Sequence, residues 1–179
     1  MKPHVRSRAG VSAAALAFVL VVGSRTVAVA SGQAAAVAAD ATLQIGGDIP
    51  KPFAITPAEL KTMPRTAVTV SEEAKEVHYE GVLVGELLKR AGAPLGRELS
   101  GKALTTYVQA TAKDGYQVVF SLAELDPAFT PNDIIVADTI DGNPLFDYQG
   151  PLRIVAPHDK RGARSIRMLQ RIEVVRAVK

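Results

Sequence analysis

The chain has 179 residues, of which 47% are hydrophobic and 22% charged, and this ordinary composition excludes collagen-like, disordered and coiled-coil proteins. It contains no cysteine, which excludes a disulfide framework, thiolate metal sites, a cysteine nucleophile and a lipoprotein acyl anchor. The formal net charge of +3 would by itself suggest a nucleic-acid partner.

The N-terminal segment has the pattern of a secretory signal. Residues 2–8 carry three cations and no acid, an apolar run follows from Ala9 to Val22, and small residues surround Ala30. The apolar run is shorter than the roughly 20 residues of a membrane-spanning helix. We therefore predict a signal peptide over residues 1–30, with cleavage as late as residue 39 as an alternative, and no permanent membrane span.

The same segment indicates the export route. Arg6 and Arg8 are separated by Ser7, so the pair of adjacent arginines that marks the twin-arginine route is missing. The general secretory route passes unfolded chains and is the prediction here. The protein is accordingly expected in the periplasm or outside the cell.

The charge is unevenly distributed along the chain. Residues 1–30 carry four cations and no acid, so the chain that remains after cleavage is nearly neutral and nucleic-acid binding is poorly supported. Residues 151–179 hold eight basic and two acidic residues, whereas the preceding part is acidic. This asymmetry predicts either an anion site in the C-terminal segment or a basic face that packs against an acidic body.

After a flexible segment over 31–42, the elements in chain order are mainly short strands. These are predicted at Leu43–Ile45, Phe53–Ile55, Ala67–Val70, Leu104–Ala112, Tyr116–Phe120, Asp133–Ile140, Leu152–Ala156 and Glu173–Val178. Capping boxes at Thr56 and Ser121 predict two helix starts, and a third short helix is predicted from about Gly85. Residues 72–80 read as a loop or hairpin, and residues 165–172 as helical or extended. The prediction is one mixed α+β domain over 43–179, with mainly antiparallel short strands and two or three short helices.

Five segments in this domain form a recognisable series. They read LQIGGDIPKPFAITPAELKTMPRTAVTV, EGVLVGELLKRAGA, KDGYQVVFSLAEL, DGNPLFDYQGPLRIVAP and ARSIRMLQRIEV. In this order and spacing they resemble the oxidoreductase molybdopterin-binding domain of the sulfite oxidase family. The resemblance implies the α+β fold of that family, a molybdenum–pterin cofactor and oxygen-atom transfer.

The chain departs from the family at the metal ligand. The family binds molybdenum through a cysteine thiolate that follows the strand matching Val68–Val70, and this chain reads Ser71-Glu72-Glu73-Ala74 there. Ser71 is a weak candidate for the vacant place, or else an ordinary strand-end residue. The family loads its cofactor before twin-arginine export, which this chain lacks. Both departures predict that no cofactor is bound, with molybdopterin as the alternative that the resemblance implies.

The basic C-terminal segment contains the remaining binding candidates. The resemblance places Arg153 beside the cofactor, and Arg164, Ser165 and Arg167 in the segment that contacts the pterin phosphate, with His158 in the turn between them. Arginine suits phosphate because its planar fork donates paired hydrogen bonds. The alternative is that Arg164 and Arg167 are exposed, or paired with acids of the body.

Other candidate residues carry weaker signals. Asp114 and Tyr116 match a family loop near the site and are weak catalytic candidates, although Asp-Gly is also a common hairpin turn. Only His78 and His158 follow residue 30, and nothing in their positions brings them to a shared carboxylate, so no metal site is predicted.

Three hypotheses follow. The first is an exported, degenerate domain that binds a small anion or a protein partner in the cell envelope. The second is an active molybdopterin-dependent oxidoreductase that holds its cofactor through the basic segment. The third is a structural envelope protein whose cleft is filled by side chains.

Overall fold

The computed structural model describes residues 42–72, 75–131 and 133–177. The predicted signal peptide over 1–30 lies outside the described residues, as does most of the predicted flexible segment. Within the described residues, no helix is long and apolar enough to cross a membrane.

The described residues form ten strands, two α-helices and five 3-10 turns. The strands are β1 (Leu43–Gly47), β2 (Phe53–Ile55), β3 (Thr66–Glu72), β4 (Lys75–Leu83), β5 (Thr106–Ala112), β6 (Gln117–Ser121), β7 (Ile135–Ile140), β8 (Asn143–Pro144), β9 (Arg153–Val155) and β10 (Leu169–Arg176). The helices are α1 (Pro57–Leu60) and α2 (Val84–Arg90), and the 3-10 turns span Gly96–Glu98, Gly101–Thr105, Leu122–Leu125, Asp147–Gln149 and Gly162–Arg164.

The strands build two sheets. The first has the order β2-β1-β10-β5-β6, and the second has the order β3-β4-β7-β8, with β9 also paired to β7. The pairing of β1 with β10 is parallel, and the other pairings within the described residues are antiparallel. The prediction of a mixed α+β fold with mainly antiparallel short strands is therefore confirmed.

The second sheet separates two hydrophobic cores. Neighbouring side chains of a strand point to opposite faces, so Val136 of β7 packs in the main core and Ile135 in a smaller one. The main core lies under the first sheet and helix α2, whereas the smaller core includes Tyr79 and Val155. Burial on both faces explains why β7 begins with the continuous apolar run Ile135-Val136-Ala137.

Capping boxes determine where two of the short helical elements begin. At both predicted capping boxes the hydroxyl accepts the backbone N–H three residues later, from Glu59 to Thr56 and from Glu124 to Ser121, each at 3.2 Å. The first box begins α1, and the second begins a 3-10 turn rather than an α-helix. Both capping boxes are confirmed.

The structure moves one predicted strand boundary and decides two alternatives that the sequence left open. Residues 75–80 belong to β4, which forms an antiparallel hairpin with β3 and continues to Leu83, because its last residues pair with β7. Leu104 lies in a 3-10 turn and is half exposed, so β5 begins only at Thr106. Residues 165–172 are not helical, since they run from a 3-10 turn into β10 at Leu169.

The loop over 156–168 connects β9 of the second sheet to β10 of the first. Backbone bonds close it at its base, from Ile154 N–H to the Ile166 carbonyl at 2.8 Å and from Leu169 N–H to the Leu152 carbonyl at 2.8 Å. Lys113 N–H, in the β5–β6 turn, donates to the Met168 carbonyl at 2.9 Å. The basic C-terminal segment is thereby held across the space between the two sheets.

Candidate functional site

A cleft of about 880 Å³ lies between the end of β3, the β5–β6 turn and the 156–168 loop. Six of the predicted site residues line it, namely Ser71, Asp114, Tyr116, Arg153, Ser165 and Arg167. The other lining residues include Glu72, Tyr148, Asp159 and Lys160. His158 and Arg164 do not line the cleft. The sequence thus brings most of its candidates to one place, although they come from four separate segments.

Arg153 is the buried charge at the base of the cleft, with only 3% of its side chain exposed. Its Nη1 donates to the Tyr79 hydroxyl and, at 2.7 Å, to Oε1 of Gln149. Its Nη2 donates to Oε1 of Glu72 at 3.3 Å, and its buried Nε has no partner among the described residues. The guanidinium is therefore only partly satisfied by the protein.

Tyr79 contacts this guanidinium through both its ring and its hydroxyl. The side chain is fully buried, its ring centroid lies 4.7 Å from Cζ of Arg153, and its hydroxyl donates to Oε1 of Glu72 at 3.1 Å. Burial raises the pKa of Tyr79 to about 12, although the positive charge of Arg153 opposes this rise. At neutral pH the residue is an uncharged phenol that can accept from one neighbour and donate to another.

Two cations on the wall of the cleft have no acidic partner. Arg167 is exposed, with Cζ 5.0 Å from the ring centroid of Tyr148, and Lys160 is exposed. Among the described residues, neither cation has a carboxylate within salt-bridge distance. Both side chains are therefore available to a negatively charged ligand.

The carboxylates of the cleft are already engaged. Glu72 contacts Arg153 and Tyr79. Asp159 is held by Arg164, and Asp114 accepts the backbone N–H of Tyr116 at 3.0 Å within its own turn. Arg153 and Arg164 pair the charges of Glu72 and Asp159, so within the described residues the unpaired charges are those of Lys160 and Arg167 against that of Asp114, which leaves the cleft net positive.

Arg164 is paired with acidic residues, which is one of the alternatives that the sequence left open. Its Nε and Nη2 donate to the two oxygens of Asp159, its Nη1 donates to Glu124 at 3.0 Å, and its Cζ lies 4.8 Å from the ring centroid of Phe120. These contacts raise the pKa of Arg164, chiefly through the hydrogen bonds to Asp159. Arg164 thus joins the 156–168 loop to the 3-10 turn that follows β6.

The remaining candidates have local roles in the structure. Ser165 Oγ accepts the N–H of Ala156 at 3.1 Å and so closes the loop internally. The Tyr116 hydroxyl donates to the Ala163 carbonyl at 3.0 Å, which joins the β5–β6 turn to the same loop. Ser71 is an exposed residue of β3 opposite Glu76, and His158 is exposed on the loop.

Sequence reasoning missed Tyr79, Gln149 and Tyr148, and it left Glu72 without a role. The alternation of Val77, Tyr79 and Gly81 could have placed Tyr79 on a buried face, because these positions share one side of a strand. No local signal marks Gln149 or Tyr148, since the chain brings them to Arg153 and Arg167 only through the turn that follows β8.

The donor set fits an anion better than a metal ion. The whole chain lacks cysteine, and in the part that the structure describes no three His, Asp or Glu side chains are close enough to hold a metal. The basic wall and the partly satisfied Arg153 suit phosphate-like groups. The residues therefore fit the anionic part of a molybdopterin cofactor, but they provide no thiolate for its molybdenum.

The fold resembles that of a solved dehydrogenase structure. The crystal structure of the sulfane dehydrogenase SoxCD from Paracoccus pantotrophus matches with a TM-score of 0.60 and 20% sequence identity, over 75% of this chain and 38% of that chain. The match spans well under half of that chain's length, and at this identity it shows the fold alone. Among curated proteins, no similar sequence is found.

The family is shown by the sequence as a whole. The model of the oxidoreductase molybdopterin binding domain matches residues 31–179, which include every described residue of both sheets and of the cleft. The resemblance carried by the five sequence segments is thereby confirmed. The chain belongs to the oxidoreductase molybdopterin binding domain family.

Proposed function

We propose that this protein is an exported member of its family that binds a small anionic ligand in the cleft and makes no bond of its own to molybdenum. One observation carries the proposal: among the described residues the cations Lys160 and Arg167 lack acidic partners, while the cleft carboxylates Glu72 and Asp159 are ion-paired. A concave site with unmatched positive charge concentrates anions from solution. Its volume of about 880 Å³ suits a small molecule rather than the surface of a protein partner.

The proposed absence of a metal bond rests on ligand chemistry. The family that the sequence resembles binds molybdenum through a soft cysteine thiolate, whereas the corresponding end of β3 carries Ser71 and Glu72 in this chain. Glu72 in this segment is engaged by Arg153 and Tyr79, and Ser71 is a neutral hydroxyl. A second candidate function is an active molybdopterin oxidoreductase, and the observation that supports it is the family to which the chain belongs. In that case Arg153, Ser165 and Arg167 would hold the cofactor, which would supply the redox chemistry.

The open cleft counts against the third hypothesis, a structural protein with a filled cleft. Side chains at the centre of such a protein would pack to the density of an interior and leave no large void. Here a volume sufficient for a drug-sized molecule remains, and charged groups line it.

The proposed export is supported by the pattern of residues 1–30. It is tested by expressing the whole chain in a bacterial host with a C-terminal tag, separating the periplasm from the cytoplasm and measuring the mass of the tagged product. The expected product is periplasmic and begins at Ser31, or as late as Asp40. A full-length product that remains in the cytoplasm would reject the export proposal.

Anion binding is tested by thermal unfolding of the purified chain in phosphate, in sulfate and in chloride of equal ionic strength. Phosphate and sulfate also stabilise proteins without a site, so the comparison needs matched variants. We expect Arg167→Ala to reduce the stabilisation by phosphate or sulfate, and we expect Arg97→Ala, at an exposed position outside the cleft, to retain it. Equal shifts in Arg167→Ala and Arg97→Ala would reject the cleft as the anion site.

A further inference from the structure

Glu72 and Arg153 meet at the base of the cleft through a single long contact. The Nη2–Oε1 distance is 3.3 Å, which is at the weak end for a charge-assisted hydrogen bond. The two side chains have very different surroundings, since 3% of Arg153 is exposed but 37% of Glu72 is. The pair therefore joins a fixed, buried cation to an acid that reaches it from solvent.

Arg153 retains capacity for a stronger partner. A guanidinium has five N–H donors, and the two on Nη1 are used by Tyr79 and Gln149. Nη2 makes only the long bond to Glu72, and Nε makes none with the described residues. A carboxylate or phosphate can accept from two neighbouring guanidinium nitrogens at once, which a single Glu72 oxygen does not.

Glu72 is placed where it can withdraw. It is the last residue of β3, an edge strand of the second sheet, and pairs with Lys75 across the hairpin. Among the residues that the structure describes, its carboxylate is held by Tyr79 and Arg153 alone, both through the same oxygen, Oε1. Moving it into solvent breaks two side-chain contacts and leaves the strand pairing intact.

We propose that Glu72 is a built-in substitute for the anionic group of the ligand. It neutralises Arg153 when the cleft is empty, and an oxyanion with two oxygens on one atom displaces it when the ligand binds. The inference rests on the proposed anion-binding function and adds to it. Arg153 becomes the anchor of the ligand, and Glu72 becomes a competitor that sets how tightly the ligand is held.

The test compares the affinity for inorganic phosphate of the wild-type chain and Glu72→Gln by isothermal titration calorimetry. Glutamine keeps the size and a hydrogen-bond acceptor but removes the competing charge. We expect it to raise the affinity by roughly fivefold, the equivalent of about 1 kcal/mol for a partly exposed ion pair. Glu76→Gln, at an exposed position on the neighbouring strand, is the matched control and is expected to leave the affinity unchanged.

A second variant keeps the test decisive if Glu72→Gln does not fold. Glu72→Asp retains the charge but shortens the side chain by one methylene, so it is also expected to tighten phosphate binding. Equal affinity in the wild type and both variants, or weaker binding in the variants, would overturn the competitor role and leave the proposed function standing. A wild type and variants that all fail to bind phosphate and sulfate would reject the proposed function itself.

Discussion

Arg164 holds Asp159 through two parallel hydrogen bonds, from Nε to Oδ2 at 2.8 Å and from Nη2 to Oδ1 at 2.7 Å. Asp159 lies next to Lys160 in the loop, and Arg164 lies three residues before Arg167. Because Nη1 of Arg164 also reaches Glu124, outside the loop, the pair anchors the cationic wall of the cleft to the body of the domain. Arg164 is therefore a positioning residue for the site.

We expect Arg164→Lys to lower the free energy of unfolding by about 1 to 2 kcal/mol, because lysine cannot donate the parallel pair of bonds. It should also weaken phosphate binding without abolishing it, since Arg167 and Lys160 remain. Urea denaturation and calorimetry measure the two effects. A lysine variant with wild-type stability and affinity would show that the anchor is unimportant.

Breaking the ion pair between Arg65 and Asp138 is expected to lower the free energy of unfolding more than breaking the exposed pair between Lys89 and Glu86. Arg65 donates to both oxygens of Asp138 at 2.8 and 2.7 Å, and only 1% of the Asp138 side chain is exposed. Within the described part of the chain, Arg65→Ala would leave the buried carboxylate with only the Thr139 hydroxyl bonded to it, so a loss of about 3 kcal/mol is expected in urea denaturation. Lys89→Ala removes an exposed, long contact to Glu86 and should change the stability very little. Similar losses in both variants would contradict this assignment.

Ionisation of Tyr79 is expected to lower the free energy of unfolding at high pH. Its pKa in the folded protein is raised to about 12, whereas an unfolded tyrosine ionises near 10. The stabilising contribution is fully present below pH 10 and is lost as the pH rises toward 12, with a slope approaching 1.4 kcal/mol per pH unit. Tyr79→Phe should remove this part of the pH dependence and one high-pH step in the phenolate absorbance. An unchanged absorbance titration would show that Tyr79 does not ionise in this way.

The substitution Ser165→Ala can distinguish a structural role of the hydroxyl from a role in ligand binding. Its Oγ accepts the N–H of Ala156, so Ser165→Ala should leave that amide without its partner and cost about 1 kcal/mol of stability. If Ser165 also donates to an anion, the variant should bind phosphate less tightly than the wild type at a temperature where both are folded. A variant with unchanged affinity would restrict Ser165 to closing the loop.

Much of the fold follows from local patterns. Thr56 and Ser121 predict their helical turns because both capping boxes act within three residues. The strand boundaries are less predictable, because they depend on partners elsewhere in the chain. Leu104, for example, looks like part of a strand but precedes the first residue of β5 that pairs with β10.

In the candidate site, too, some features could be predicted from the sequence and others depend on distant partners. Arg153 and Arg167, which the resemblance singles out, both line the cleft, and their role in binding a ligand stays a prediction. The sequence offered acids as partners of Arg164 but could not identify Glu124, and it gave no sign of the contact between Glu72 and Arg153, because these pairs lie 40 and 81 positions apart in sequence. Only the packing of the two sheets decides which charges are satisfied and which stay available.

A joint assay of molybdenum and pterin in the protein purified from its natural compartment tests directly whether the chain binds the metal. We expect far less than one molybdenum per chain, because the cleft provides cations but no thiolate for the metal. Molybdenum and pterin that are each present at close to one per chain would contradict this expectation, and would make the protein an active cofactor-binding member of its family.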